Sequence, residues 1–259
     1  MASTPEKAWR AGRFWWDSAH PDEAGTHSLR AMIFDLDALT DVECDGHRLA
    51  FNAAFTAHRL PLQWSAARYR KMLALPDERQ RVAAELRARG ICTECDVLAR
   101  VLVEQLCSTK ATMLDQMILA ADLDPRRGAV ELITEGFTAG VAVGVVGDGR
   151  RRWVEPLVRQ LVGEGLVQTI VTADDVGAPM PTADAYRLAL ADLGVTAQDV
   201  LLFTGSAAGL RNAHAVGLAG VLVDPATAGV RADYDGLRVA DCLRLRGRLR
   251  AGGNRLVAA

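Results

Sequence analysis

From Arg30 to Asp37 the chain reads Arg-Ala-Met-Ile-Phe-Asp-Leu-Asp, a short apolar run that ends in two acids one residue apart. Such a run predicts a buried strand with carboxylates at its C-terminal end. If the chain stays extended, Asp35 and Asp37 point to the same face. From residue 43 to about 124 the pattern becomes helical. Leu49, Phe51, Ala54 and Phe55 recur at helical spacing, as do Val82, Leu86, Leu98, Leu102 and Leu106, and no strand is predicted between them.

Beyond this helical block, apolar runs and helical patterns alternate. Helices are predicted over Ala129–Ala139, Trp153–Val162, Ala183–Leu193 and Ala208–Val216. Strands are predicted over Val141–Val146, Thr169–Thr172, Val200–Phe203 and Gly220–Val223. Continuous apolar strands alternating with helices predict an α/β fold with a parallel, doubly wound sheet covered on both faces. Ligands in such sheets bind beyond the carboxyl ends of the strands. Chemistry is therefore expected at 35–41, 147–149, 173–180 and 204–206.

Composition narrows this picture. Half of the 259 residues are hydrophobic and about a quarter are charged, which excludes intrinsic disorder. No apolar run approaches transmembrane length, so no membrane partner is expected. The net charge of −2 excludes a globally basic nucleic-acid binder. Cys44, Cys92, Cys95, Cys107 and Cys242 are odd in number and irregular in spacing, and Arg10, Arg13 and Asp17 interrupt any leader-like apolar stretch. A cytoplasmic protein with reduced thiols is expected. Residues 1–28 carry Trp9, Phe14, Trp15 and Trp16, either packed on the body or serving as an aromatic arm for a protein partner. The basic C-terminal tail, 244–259, with Arg244, Arg246, Arg248, Arg250 and Arg255, reads as a solvated helix with a frayed end or as a contact for an acidic partner or a phosphate. Cys92 and Cys95 have CxxC spacing but lack a second pair, so adjacent helical thiols are favoured over zinc. His214 reads as a packed or surface histidine. Gly147-Asp-Gly149-Arg-Arg-Arg152 is a basic turn or an anion loop.

Paired aspartates at a strand end suit phosphoryl transfer. One is a nucleophile towards phosphorus, the other a general acid and base. A Mg²⁺ ion held by carboxylate oxygens would offset the phosphoryl charge.

The stretch Asp41-Val-Glu43-Cys-Asp-Gly-His47-Arg48-Leu-Ala-Phe51-Asn52-Ala-Ala-Phe55, followed by Trp64 and Tyr69, resembles the entrance to the cap domain in the haloacid dehalogenase superfamily. The resemblance is to the branch of β-phosphoglucomutases and CbbY-type sugar-phosphate phosphatases. Lys110, Gly128, Asp174-Asp175-Val176, Tyr186 and Ser206–Ala213 fall in register, and the likeness spans about 30–225. It implies a Rossmann-like core at 29–44 and 125–243 and an inserted all-helical C1-type cap at 45–124. It also implies Asp35 as nucleophile and Asp37 as acid and base. Asp35 and the Asp37 carbonyl would hold Mg²⁺, and His47 and Arg48 would touch a small phosphorylated metabolite.

The family's catalytic motifs are altered one after another. The Gly-Thr expected after Asp37 is reduced to Ala38. The second strand runs into Gly147-Asp148-Gly149 without its phosphate-binding hydroxyl. Met180 stands at the lysine position, and Thr204 and Gly205 at the two metal-binding acids. Asp77 replaces the lysine of the cap loop. Removing one preorganised donor commonly costs ~10²–10³ in rate. The expectation is a retained fold with impaired chemistry, a pseudo-phosphatase that binds a ligand or partner. The alternatives are an active Mg²⁺-dependent sugar-phosphate phosphatase, with Asp148, Asp174 or Asp175 completing the metal site, and a structural subunit docking through its aromatic arm.

Overall fold

The computed structural model describes residues 28–75, 77–91, 96–177, 182–224 and 230–251. Along the chain, β1 (Ala31–Asp35) leads directly into α1 (Leu36–Leu39) and then a π-helical turn (Val42–His47). Next come α2 (Arg48–Ala57), α3 (Ala66–Met72), α4 (Glu78–Ala88) and α5 (Asp96–Met117). The alternating half follows with α6 (Ala129–Thr138), β2 (Ala142–Val146), α7 (Arg151–Val162), β3 (Thr169–Val171) and α8 (Ala173–Val176). It ends with α9 (Ala183–Leu193), β4 (Val200–Thr204), α10 (Ala207–Ala215), β5 (Ala219–Leu222) and α11 (Val239–Ala251). The chain divides into two compact units, Thr40–Asp124 and the segments on either side of it.

In the flanking unit all five strands are parallel, in the order β3-β2-β1-β4-β5. Every residue of β1 and β4 is buried, because both faces of the sheet are covered. That is why these strands read as unbroken apolar runs rather than as alternation. Phe34 pairs with Phe203 across the β1–β4 register and the rings stack, with centroids 4.9 Å apart. On one face Ile33, Val171, Leu202 and Ala213 pack with Tyr186 and Ala189 of α9. The chain order reverses on either side of β1, and this switch point places Asp35 at the ligand-binding edge of the sheet.

Two expectations are corrected here. Asp37 does not continue an extended strand: β1 ends at Asp35, and Asp37 lies in the helical turn of α1. Leu36, Ala38 and Leu39 are all buried, and a helical turn seats them where an extended chain would expose alternate residues. Nor is the expected basic helix wholly solvated: as far as Ala251 the segment belongs to α11, whose Cys242, Arg246 and Leu249 are buried at spacings of four and three residues, one stripe of a helix. The Trp-rich residues, Cys92 and Cys95, Met180 and Arg255 lie outside the described residues.

The unit Thr40–Asp124 is entirely helical among the described residues. Its core gathers Cys44, Phe51, Phe55, Leu62, Trp64 and Tyr69 with Val82, Leu86, Val103 and Leu106. Trp64 takes both Phe51 and Phe55 edge-on at 4.9 Å. Asn52 fixes that tryptophan by its backbone, accepting from the Trp64 N–H at 2.7 Å and donating to the Trp64 carbonyl at 3.1 Å. Gly46 permits close packing, since a Cβ there would lie 2.7 Å from Ile118 Cδ1.

Candidate active site

Asp35 is 4 % exposed. The Tyr186 hydroxyl of α9 donates to its Oδ2 at 2.7 Å, while Oδ1 is buried without a hydrogen-bond partner. Burial, then the negative charge of Asp37, and then Asp148 raise the Asp35 carboxyl well above the usual range, and the Thr204 and Tyr186 hydroxyls only partly oppose this. Tyr186 is itself raised, by burial and then by the charge of Asp35. Burial and the neighbouring acid thus both favour the protonated form of Asp35.

Asp37 Oδ1 accepts the Gly205 N–H at 2.8 Å. Gly205 is required for this approach: a Cβ would stand 2.8 Å from both the Asp37 carboxyl carbon and the Asp37 carbonyl oxygen. One turn into α10, Gly209 is equally constrained. A Cβ there would lie 2.1 Å from Thr204 Oγ1 and 2.7 Å from Asp35 Oδ2. Ser206 caps α10, its Oγ accepting from the Gly209 N–H at 3.0 Å. The β4–α10 turn thus closes onto both aspartates through backbone and hydroxyl groups.

The donor set does not fit a Mg²⁺ ion. Asp35 Oδ1, buried without a hydrogen-bond partner, is one oxygen that could face an ion, but too few further carboxylates stand beside it. Thr204 and Gly205 bring no carboxylate, and among the described residues no three of His, Cys, Asp and Glu stand close enough to hold a metal. Two of the substitute acids, Asp174 and Asp175, are occupied elsewhere. Asp174 Oδ2 accepts the Arg151 N–H at 2.8 Å. Asp175 completes a capping box with Thr172 and takes the Arg151 guanidinium on both oxygens at 2.8 Å, which lowers its pKa despite partial burial. Arg151 of the basic turn is therefore committed to Asp175. Asp148 is exposed beyond β2.

His47 and Arg48 belong to the helical unit. Arg48 is spent on backbone carbonyls, with Nε donating to Cys44 at 2.8 Å and Nη1 to Trp64 at 3.2 Å. His47 is buried. Its Nδ1 is 2.8 Å from the Lys110 Nζ, and its Nε2 has no partner. Lys110 also donates to Glu78 Oε1 and lies 5.1 Å from the centre of the Phe51 ring. Burial works against the Glu78 charge, but His47 and Lys110 prevail and bring its pKa down to about 2. The Glu78 and Lys110 pairing was not signalled by sequence, because 32 residues separate the partners. The same holds for Tyr186 on Asp35, 151 residues apart. His214 is exposed on α10.

The sequence model of the haloacid dehalogenase-like hydrolases matches residues 29–217. The chain belongs to this family. Among curated relatives it is 28 % identical over 197 residues to protein CbbY of Rhodobacter capsulatus, covering 75 % of this chain and 85 % of that one. It is 27 % identical over 191 residues to the validoxylamine A 7'-phosphate phosphatase of Streptomyces hygroscopicus subsp. limoneus, covering 73 % and 83 %. The crystal structure of Rhodobacter sphaeroides CbbY with xylulose-1,5-bisphosphate is similar, with a TM-score of 0.58, 26 % identity, and 76 % and 86 % of the two chains covered. A haloacid dehalogenase hydrolase of Entamoeba histolytica shares the fold at a TM-score of 0.65 and 16 % identity, over 85 % of this chain and all of that one. The family assignment and the parallel core sheet with flanking helices agree with the expectation from sequence. No helix among the described residues is long and apolar enough to cross a membrane.

Proposed function

We propose that this chain is a pseudo-phosphatase. It keeps the haloacid dehalogenase scaffold to bind a small phosphorylated metabolite or a protein partner in the cytoplasm, without Mg²⁺-dependent turnover of phosphomonoesters. The observation that carries this reading is the state of Asp35. It is buried beside a second acid, is held by a tyrosine hydroxyl, and has a threonine and a glycine where the metal-binding acids of the family resemblance fall. The sequence adds a further support. The lysines of the chain are Lys7, Lys71 and Lys110, so residues 28–39 and 125–259 supply none to clamp a phosphoryl group.

Losing one preorganised donor costs ~10²–10³ in rate, and here the clamp lysine and both metal-binding acids are gone together. Such losses need not add. One observation favours the opposing reading of a working phosphatase: Asp35 and Asp37 both persist at the switch point of the sheet. In that reading Asp35 attacks phosphorus, and Asp37 protonates the leaving oxygen and then activates water. Turnover of p-nitrophenyl phosphate and of hexose phosphates, with and without Mg²⁺, separates the two. The expected result is the same background rate for the wild-type chain and Asp35→Ala. A Mg²⁺-dependent rate that Asp35→Ala abolishes would overturn the pseudo-phosphatase reading.

A further inference from the structure

The Asp37 carbonyl is the backbone oxygen that, in the family resemblance, would face the metal. Here the Arg126 Nη2 donates to it at 2.8 Å. Arg126 is fixed at both ends. Its backbone N–H donates to the Leu39 carbonyl at 2.7 Å, tying it to the end of α1. The turn that follows is clasped by a distant segment: the Tyr234 N–H donates to the Arg127 carbonyl at 2.8 Å, and Arg127 pairs with Asp235 at 2.9 Å. Gly128, with φ of +78°, makes this clasp possible, because a Cβ would lie 2.6 Å from the Tyr234 backbone. Tyr234 then reaches back, its hydroxyl donating to the Ala38 carbonyl at 2.9 Å. The Arg126 Nε is buried and has no hydrogen-bond partner.

We propose that the Arg126 guanidinium stands in for a divalent ion at this strand end by binding the Asp37 carbonyl oxygen from within the chain. An arginine suits the position because it stays charged under all ordinary conditions and is more weakly hydrated than an ammonium group. The arrangement gives the retained acids a role in the fold: Asp37 ties the β1–α1 turn to Gly205 by its carboxylate and to Arg126 by its carbonyl. The inference rests on the reading that no Mg²⁺ occupies this place.

The test is thermal unfolding of the full chain, using Mg²⁺ alone as the probe. Wild-type protein is expected to show no midpoint shift with millimolar Mg²⁺. Arg126→Met should lower the midpoint by roughly 3–10 °C, since a charge-assisted bond is lost in a chain of this size. Arg126→Lys should recover most of that loss, and Arg126→Gln, a neutral donor, should not. A Mg²⁺-dependent rise in the wild-type midpoint would overturn the proposal, and this arm stands even if Arg126→Met does not fold. Equal stability of the Met and Lys variants, or of the Gln and Lys variants, would overturn it too. That substitution series can fail while the phosphatase assay stays silent, so the two readings are judged separately.

Discussion

In the helical unit Lys110 lies between Glu78 and His47, so a carboxylate, an ammonium and an imidazole share one partly buried cluster. At the end of β1 two carboxyl groups lie close together with no lysine, and each is met by a neutral donor, Tyr186 on Asp35 and Gly205 on Asp37. The consequence is visible in acidity: Glu78 is brought down to about 2, while Asp35 is pushed well up. A buried carboxyl group keeps its charge where a cation reaches it, and otherwise keeps its proton. The comparison shows how one chain holds two acid clusters in opposite electrostatic settings, one with a cation beside its carboxylate and one with a second acid.

The largest effect that could break this comparison is expected in the cap. Lys110→Met leaves Glu78 and His47 facing each other without their cation. It should cost about 2–4 kcal/mol by urea unfolding, below the usual range for breaking a buried pair because Glu78 is partly exposed. A cost near zero would mean the cluster is not a matched set.

Gly209→Ala should cost ~1–3 kcal/mol, because the new methyl group meets Thr204 and Asp35 at once. If alanine is tolerated, α10 can withdraw from the acid pair and the site is less closed than its contacts imply. Asp37→Ala should be less stable than Asp37→Asn by ~1 kcal/mol, since asparagine keeps an oxygen for the Gly205 N–H. Equal stabilities would remove the tie between the two turns.

The subtlest distinction is in pH dependence, where the two regions should have opposite signs. Asp35 has a raised folded pKa, so its contribution to stability is fully present below the unfolded value of roughly 3.9 and is lost as pH rises towards the folded value. Glu78 has a depressed folded pKa, so its contribution is present above the unfolded value and is lost as pH falls towards about 2. Unfolding free energies of Asp35→Asn and Glu78→Gln, each subtracted from wild type across pH, should slope in opposite directions. Parallel slopes would show that the two sites are not electrostatic opposites.

Much of the architecture was legible in sequence because burial on both faces writes a strand as a continuous apolar run. Val143, Val145 and Val146 in β2 and Leu201, Leu202 and Phe203 in β4 are buried in this way, and the stretch Asp41–Phe55 carries the family likeness. The conformation of Asp37 was not legible. Two acids one residue apart fit an extended end equally well, and the packing of Leu36 and Leu39 decides for a helical turn. The arginine-rich end was likewise ambiguous. Leu and Arg alternate there, and only the seating of Arg246 on the Ser28 and Gln198 carbonyls, at 2.9 and 3.0 Å, makes α11 part of the core.

By itself the sequence determined which side chains are available: two acids after the first strand, no lysine in residues 28–39 or 125–259, and Thr204 and Gly205 after the strand that ends at Thr204. Tertiary structure decided what those groups meet. Tyr186 reaches Asp35 across 151 residues, Gly205 reaches Asp37 across 168, and Arg126 reaches it across 89. Local pattern encodes burial and periodicity, which act over a few residues. The partner of a buried carboxyl is set by which loops the sheet order brings to one edge, and no local rule carries that information.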